Sequence, residues 1–159
     1  MGSFLMWVVG VYYKEGAVDP VGYGTKADIS DIQINVDDVR SMQLYFLDGN
    51  INETDVKRIA EELLTDPVLQ EYKCGKATAD LTIGKSHWFV TTKPKAGVMD
   101  AVGLGVTEAV RILGVNGITI ASGNAYRIFG KRTQQQIEKI CRKCLSNELI
   151  EDVAYEWID

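Results

Sequence analysis

Several short constellations in this chain carry residue types that could do chemistry. Ala79 to Ser86, ADLTIGKS, fits the relaxed phosphate-loop pattern A-x-x-x-x-G-K-S, in which backbone N–H groups and a lysine hold nucleotide phosphates at a helix start. That mechanism needs a helix after the loop, whereas the residues that follow, HWFVTT, have a strand pattern, so Lys85 reads as part of a linker. Cys141 and Cys144 have C-x-x-C spacing, but a redox pair belongs at a helix N-terminus, where the dipole lowers a thiol pKa. These two fall mid-helix and read as core. A zinc site that also used Cys74 and the single histidine, His87, would have no recognised ligand spacing. Gly22-Tyr-Gly24 and Gly103-Leu-Gly105 sit at helix starts like part of a dinucleotide fingerprint, yet Ala27 and Glu108 hold the places of its third glycine. His87 has no identifiable carboxylate or nucleophile partner, and G-x-S-x-G and G-x-C-x-G elbows are absent. Asp19 and Asp100 are explained as helix caps. No catalytic residue, metal site or cofactor is therefore expected.

The elements that position these residues occur twice. Shifted by 81 positions, the chain matches itself without a gap from Trp7/Trp88 to Leu64/Leu145. GAVDPVGYG (Gly16 to Gly24) returns as GVMDAVGLG (Gly97 to Gly105), and Tyr45, Gly49 and Ile59 return as Tyr126, Gly130 and Ile140. The reading is residues 1–75 as one unit, 76–85 as a linker and 86–159 as a second unit. A unit of roughly 70 residues buries only about 60% of its unfolded-chain surface, so two packed copies solve a core problem that neither solves alone.

Each copy reads as strand, helix, long strand, helix, short strand. Residues 4–13 carry apolar groups at odd and even positions, as a strand buried on both faces does; residues 87–92 take that place in the second copy. Asp19 is an N-cap followed by Pro20 at the first helical position, and Asp100 opens the second version. There Val102, Val106, Ala109, Val110 and Leu113 form a helical stripe, with Gly114 as the stop. Gly22 and Gly24, and Gly103 and Gly105, are expected to bring these helices close to the sheet. Residues 36–48 and 117–129 are long strands that could bend into two. On them Val39, Ser41, Gln43, Tyr45 and Leu47 share a face, matched by Ile120, Ser122, Asn124, Tyr126 and Ile128. Second helices open at Asn52 and at Thr133, where Gln136 completes a capping box. Their stripes are Val56, Ile59, Ala60, Leu63, Leu64 and Ile137, Ile140, Cys141, Cys144, Leu145. Tyr45 and Tyr126 repeat at a strand position that does not require tyrosine, and are candidates for a subunit or inter-repeat contact. Two helices per copy leave the opposite sheet face bare but apolar. The sister copy, another copy of the chain or a different subunit could cover it.

The net charge of -5 and pI near 4.9 argue against a general nucleic-acid binder. Residues 1–75 hold 6 Lys/Arg against 13 Asp/Glu, and residues 76–159 hold 11 against 9, so the copies present different surfaces. The opening MGSFLMWVVGVYY has no basic n-region or small-residue cleavage site, and its apolar run is too short to span a bilayer. With three cysteines, an odd number, a cytoplasmic protein with reduced thiols is expected, without nucleic-acid or membrane partners.

GAVDPVG at the first helix start and LLTDPVLQEY after the second helix resemble the G-V-x-D-P-x-G and L-x-x-N-P-V-I-E-x-Y stretches of the PurS family, small subunits of phosphoribosylformylglycinamidine (FGAM) synthase. GVMDAVGLGVTEAVRILG, SGNAYRI and SNELIEDV fall at the corresponding places of the second copy, where Ala101 and Glu148 replace the expected prolines. The resemblance implies an α+β chain of two tandem ferredoxin-like units, with antiparallel sheets and two helices each, packed as a pseudo-twofold pair like a fused dimer. It further implies a non-catalytic role in purine biosynthesis, assembling PurL-type synthetase and PurQ-type glutaminase subunits for ammonia transfer. Further homo-oligomerisation is left open. KAGVMDAVGLGVTEAVRILGVNGITI is also similar to the glycine loop and first helix of ACT-type regulatory modules. That alternative implies an amino acid or other small effector bound at the Gly16 and Gly97 loops.

Overall fold

Along residues 6–159, which the computed structural model describes, the chain runs through β1 (Trp7–Tyr13), α1 (Pro20–Asp31), β2 (Asp38–Gly49), α2 (Glu53–Ile59) and β3 (Gln70–Gly75). It then repeats the order as β4 (His87–Pro94), α3 (Ala101–Leu113), β5 (Ile118–Phe129), α4 (Gln134–Ile140) and β6 (Glu151–Ile158). The strand expectation for Phe4 and Leu5 lies outside the described residues. Asp19, Asn52, Asp100 and Thr133 are the N-caps of α1, α2, α3 and α4, each accepting a hydrogen bond from an N–H in the first turn. Both α2 and α4 end in one turn of π-helix, Ala60–Leu64 and Cys141–Leu145. The long strands do not break: β2 and β5 each run unbroken for 12 residues.

The two α+β units share one antiparallel sheet of order β3-β1-β2-β5-β4-β6. β2 and β5 pair along their whole length, from Asp38↔Phe129 to Gly49↔Ile118. Gln43 pairs with Asn124, its own counterpart in the other copy, so a local twofold axis passes between them. Val9↔Tyr45 accordingly returns as Val90↔Tyr126.

The helices lie on one face and cross the boundary between copies. Ile29, Ile34, Val36 and Val39 of the first copy form one core with Val90, Tyr126, Ile128, Ile137 and Ile140 of the second. Val9, Val11, Leu47, Val56 and Ile59 of the first form another with Val110, Ile118 and Ile120 of the second. Correspondingly, α1 packs on the second copy's π turn and α3 on the first copy's. Each fully buried aliphatic side chain here contributes about 1.5–3 kcal/mol, and most of that contribution needs both copies. Leu63 and Val102, expected on the core stripes, are exposed, because each lies at the margin of a face only wide enough for its inner residues.

Joined edge to edge, neither copy covers the other's second face. The linker covers part of it: a 3-10 turn, Thr78–Leu81, lays Leu81 on Val8, Met42, Leu44, Phe89 and Ala125, where it is fully buried. Shared cores predict one cooperative unfolding step despite the repeat. Guanidinium unfolding of a Trp7→Phe variant, whose remaining tryptophans Trp88 and Trp157 report on the second copy, is expected to coincide with unfolding followed by far-UV circular dichroism. Two separated transitions would contradict the shared-core arrangement.

Candidate functional site

At the twofold axis, the carboxylates of Asp19 and Asp100 tie each first helix to a central strand. Asp19 accepts from Gly22 N at 2.8 Å, Ser41 N at 2.5 Å and Ser41 Oγ at 2.7 Å. Asp100 repeats this with Gly103 N at 2.9 Å and with Ser122 N and Oγ, both at 2.6 Å. Burial pushes the Asp100 carboxyl up, but the bonds from Ser122 and Gly103 outweigh it and hold the group below its ordinary range. Close approach makes glycine necessary beside each cap: a Cβ at Gly22 would collide with the Val39 carbonyl, and one at Gly103 would lie 2.6 Å from the Ile120 carbonyl. Gly24 and Gly105, expected to serve the same close approach, do not: a Cβ at either would meet open space, because both point away from the sheet. Both carboxylates are thus engaged in helix starts and strand anchoring.

Tyr45 and Tyr126 flank the axis, opposite Ser122 and Ser41 respectively. Each packs on a core containing side chains from both copies, and burial raises both phenols above their ordinary value. With Gln43, Asn124, Val21 and Leu64 they line a cleft of about 220 Å3 between the helices. Gln43 Nε2 crosses the axis to donate to the Gly123 carbonyl at 2.7 Å.

The remaining reactive residues stay apart. Cys74 belongs to one helix-side core and Cys141 and Cys144 to the other, and among the described residues no three or more His, Cys, Asp or Glu side chains are grouped to hold a metal. Burial pushes the Cys141 thiol up to about 11, the opposite of an activated nucleophile. Lys85 is followed directly by β4, and no helix receives the loop that contains it. His87 is fully buried, with Nδ1 2.7 Å from the Lys85 carbonyl and Nε2 without a partner. Burial lowers its pKa, the Lys85 carbonyl opposes that, and the charge of Arg127 lowers it further.

Outward-facing apolar residues form the feature that the sequence reading missed. Val18, Val21, Tyr23, Val68 and Leu69 are exposed, and so are their counterparts Met99, Val102, Leu104, Leu149 and Ile150. Lys14 N donates to the Leu69 carbonyl and Lys95 N to the Ile150 carbonyl, which holds the turn before the last strand of each copy beside the loop that opens its first helix. Because β1 and β4 run in opposite directions, the two sets lie on opposite sides of the twofold axis. The available signal was the placement of paired apolar residues inside turn segments that cannot bury them.

The order of elements and the doubled register agree with one family. The family model described as "PurS: Phosphoribosylformylglycinamidine (FGAM) synthase" matches residues 7–77 and again residues 88–159. The chain belongs to the PurS family. Its two tandem matches are those of a fused PurS pair, and the family places the chain in FGAM synthase and purine biosynthesis. A comparison with curated proteins returned no match. No described helix is long and apolar enough to cross a membrane.

Two outcomes follow for this PurS pair. Asp19→Ala and Asp100→Ala are each expected to lower stability by about 1–3 kcal/mol in urea titrations, through loss of a cap and of the strand N–H partner. The larger loss is expected at the more buried Asp19. Because folding holds His87 below its ordinary 6.5, the unfolded chain binds the extra proton. Its contribution to stability is therefore complete above about pH 6.5 and declines as pH falls below it. In His87→Leu the unfolding free energy should flatten over that window, and an unchanged slope would contradict a neutral buried imidazole.

Proposed function

We propose that this chain is a non-catalytic assembly component of FGAM synthase, holding a PurL-type synthetase and a PurQ-type glutaminase together so that ammonia passes from one to the other in the cytoplasm. Residues 1–75 and 86–159 act as its two PurS-like units, with 76–85 as the tether. The observation that carries the reading is the pair of exposed apolar sets in equivalent places on opposite sides of the twofold axis. Apolar surface left in water forgoes about 25 cal/mol per Å2, and contiguous patches of it mark surfaces that meet other protein. The two sets are related but not alike: Tyr23 answers to Leu104 and Val68 to Leu149, on a first copy rich in acid and a second slightly basic. Such sets suit two different neighbours. Tyr45 and Tyr126 serve at the inter-repeat contact, and Asp19, Gly22, Asp100 and Gly103 serve as its structural caps and turns.

Co-purification of the full chain with a synthetase and a glutaminase tests this. A ternary complex is expected, with Val68→Asp/Leu69→Asp and Leu149→Asp/Ile150→Asp each weakening retention of one partner by at least about tenfold. Retention of neither enzyme by the unaltered chain would overturn the reading. A saturable thermal shift with one amino acid, abolished by changes in the Gly16 and Gly97 loops, would replace it with the ACT-like effector module.

A further inference from the structure

On the sheet face away from the helices, Arg127 is only 8% exposed yet forms no ion pair among the described residues. Its Nη1 donates to the Ile83 carbonyl at 3.1 Å, while Nε is buried without a partner. Neither Nε nor Nη2 carries a protein hydrogen bond among the described residues, and since Nε is closed off, Nη2 is the donor left to meet an oxyanion. A buried guanidinium with no carboxylate in ion-pair contact is destabilising. Register makes matters worse, since Arg127 faces Arg40 directly across the β2–β5 ladder and like charges so placed repel. Arg40 donates to the carbonyls of Ala17, Tyr13 and Lys14, and to no carboxylate.

These two arginines line an open cavity of about 710 Å3, a volume typical of small-molecule sites. Tyr12 and Phe129 flank the Arg127 guanidinium, with ring centroids 6.0 and 5.6 Å from its Cζ. Lys85 adds a third cation, its Nζ 5.4 Å from the Phe129 ring centroid. Of the charged residues lining the cavity, Arg127 alone is buried and Arg40 is half-buried, while Lys85 and the carboxylate residues Glu15, Asp38 and Glu71 are exposed, so the charge at its floor is cationic. The linker is shaped around the guanidinium: Gly84 has φ +86°, and a Cβ there would lie 3.1 Å from Nη1.

The fold itself does not require this cation. Phe46 occupies the equivalent strand position in the first copy, facing Ala121, the counterpart of Arg40. There Lys93 lies over the Phe46 ring, 5.2 Å from its centroid. One end of the central strand pair is thus built with an apolar ring and the other with an unpaired guanidinium.

We propose that this cavity binds a small oxyanion, a phosphate or carboxylate group, on Arg127, with Arg40 and Lys85 adding charge and the Tyr12 and Phe129 rings receiving the rest of the molecule. The site goes beyond the assembly role and does not depend on it, because its test needs neither partner enzyme. The full chain is titrated by isothermal calorimetry with inorganic phosphate and, separately, with citrate, at constant ionic strength. One saturable site per chain is expected for at least one anion, and which anion binds tells the phosphate class from the carboxylate class. Arg127→Phe, which installs the first copy's residue, is expected to reduce affinity at least about tenfold, and Lys85→Gln about threefold. Absence of saturable binding for both anions overturns the site, as does undiminished binding by a folded Arg127→Phe chain. Should that variant fail to fold by circular dichroism, Lys85→Gln decides: weakened binding supports the site and unchanged binding overturns it.

Discussion

The antiparallel ladder between β2 and β5 is the interaction from which the rest of the molecule follows. By pairing Gln43 with its own counterpart Asn124, it merges the copies into one sheet and places α1 to α4 on the same side. Neither copy then has a core of its own, because α1 needs the second copy's α4 and α3 needs the first copy's α2. A unit of roughly 70 residues is too small to bury enough surface, and this arrangement doubles the material around each core. The same ladder leaves the far face of the sheet uncovered by either copy. Among the described residues only the connector reaches it, through Leu81 and the Ile83 to Lys85 segment.

Asp19 and Asp100 make the ladder and the helices one structure. Each cap satisfies a first-turn N–H, and the same carboxylate takes the N–H and hydroxyl of a serine two positions from the axis. Helix start and strand position are therefore set together. Gly22 and Gly103 permit the short distance, which explains why the D-x-x-G spacing recurs while the residues between change from Pro-Val to Ala-Val.

What is legible in the sequence is what depends on neighbours along the chain. The caps, the Asp-Pro helix start and the alternation over residues 39–47 and 120–128 are local signals, and the latter two sets turn out to face one another pair by pair. The joining of the copies edge to edge was not legible, because strands apolar on both faces are compatible with stacking as well as with sharing a sheet. Leu63 and Val102 looked like core because helical periodicity gives a stripe but not its width. The exposed apolar sets were hidden for a related reason: burial is a property of packing, and a valine in a turn looks the same inside or out. Arg127 had a readable signal, namely the loss of an aromatic ring between Phe46 and its counterpart, but its meaning required knowing that Arg40 lies opposite.

The connector between the copies has a consequence for how the molecule can change. In an assembly of two identical chains, every altered residue enters in duplicate, and a charge placed near the axis meets its own mirror image. With both halves on one polypeptide, a change enters once and its burden falls on one end alone. Arg127 can face Arg40 while Phe46 faces Ala121, an inequality that identical halves could never encode. Covalent linkage thus releases each half from the obligation to resemble its twin, and one extremity can specialise without altering the other.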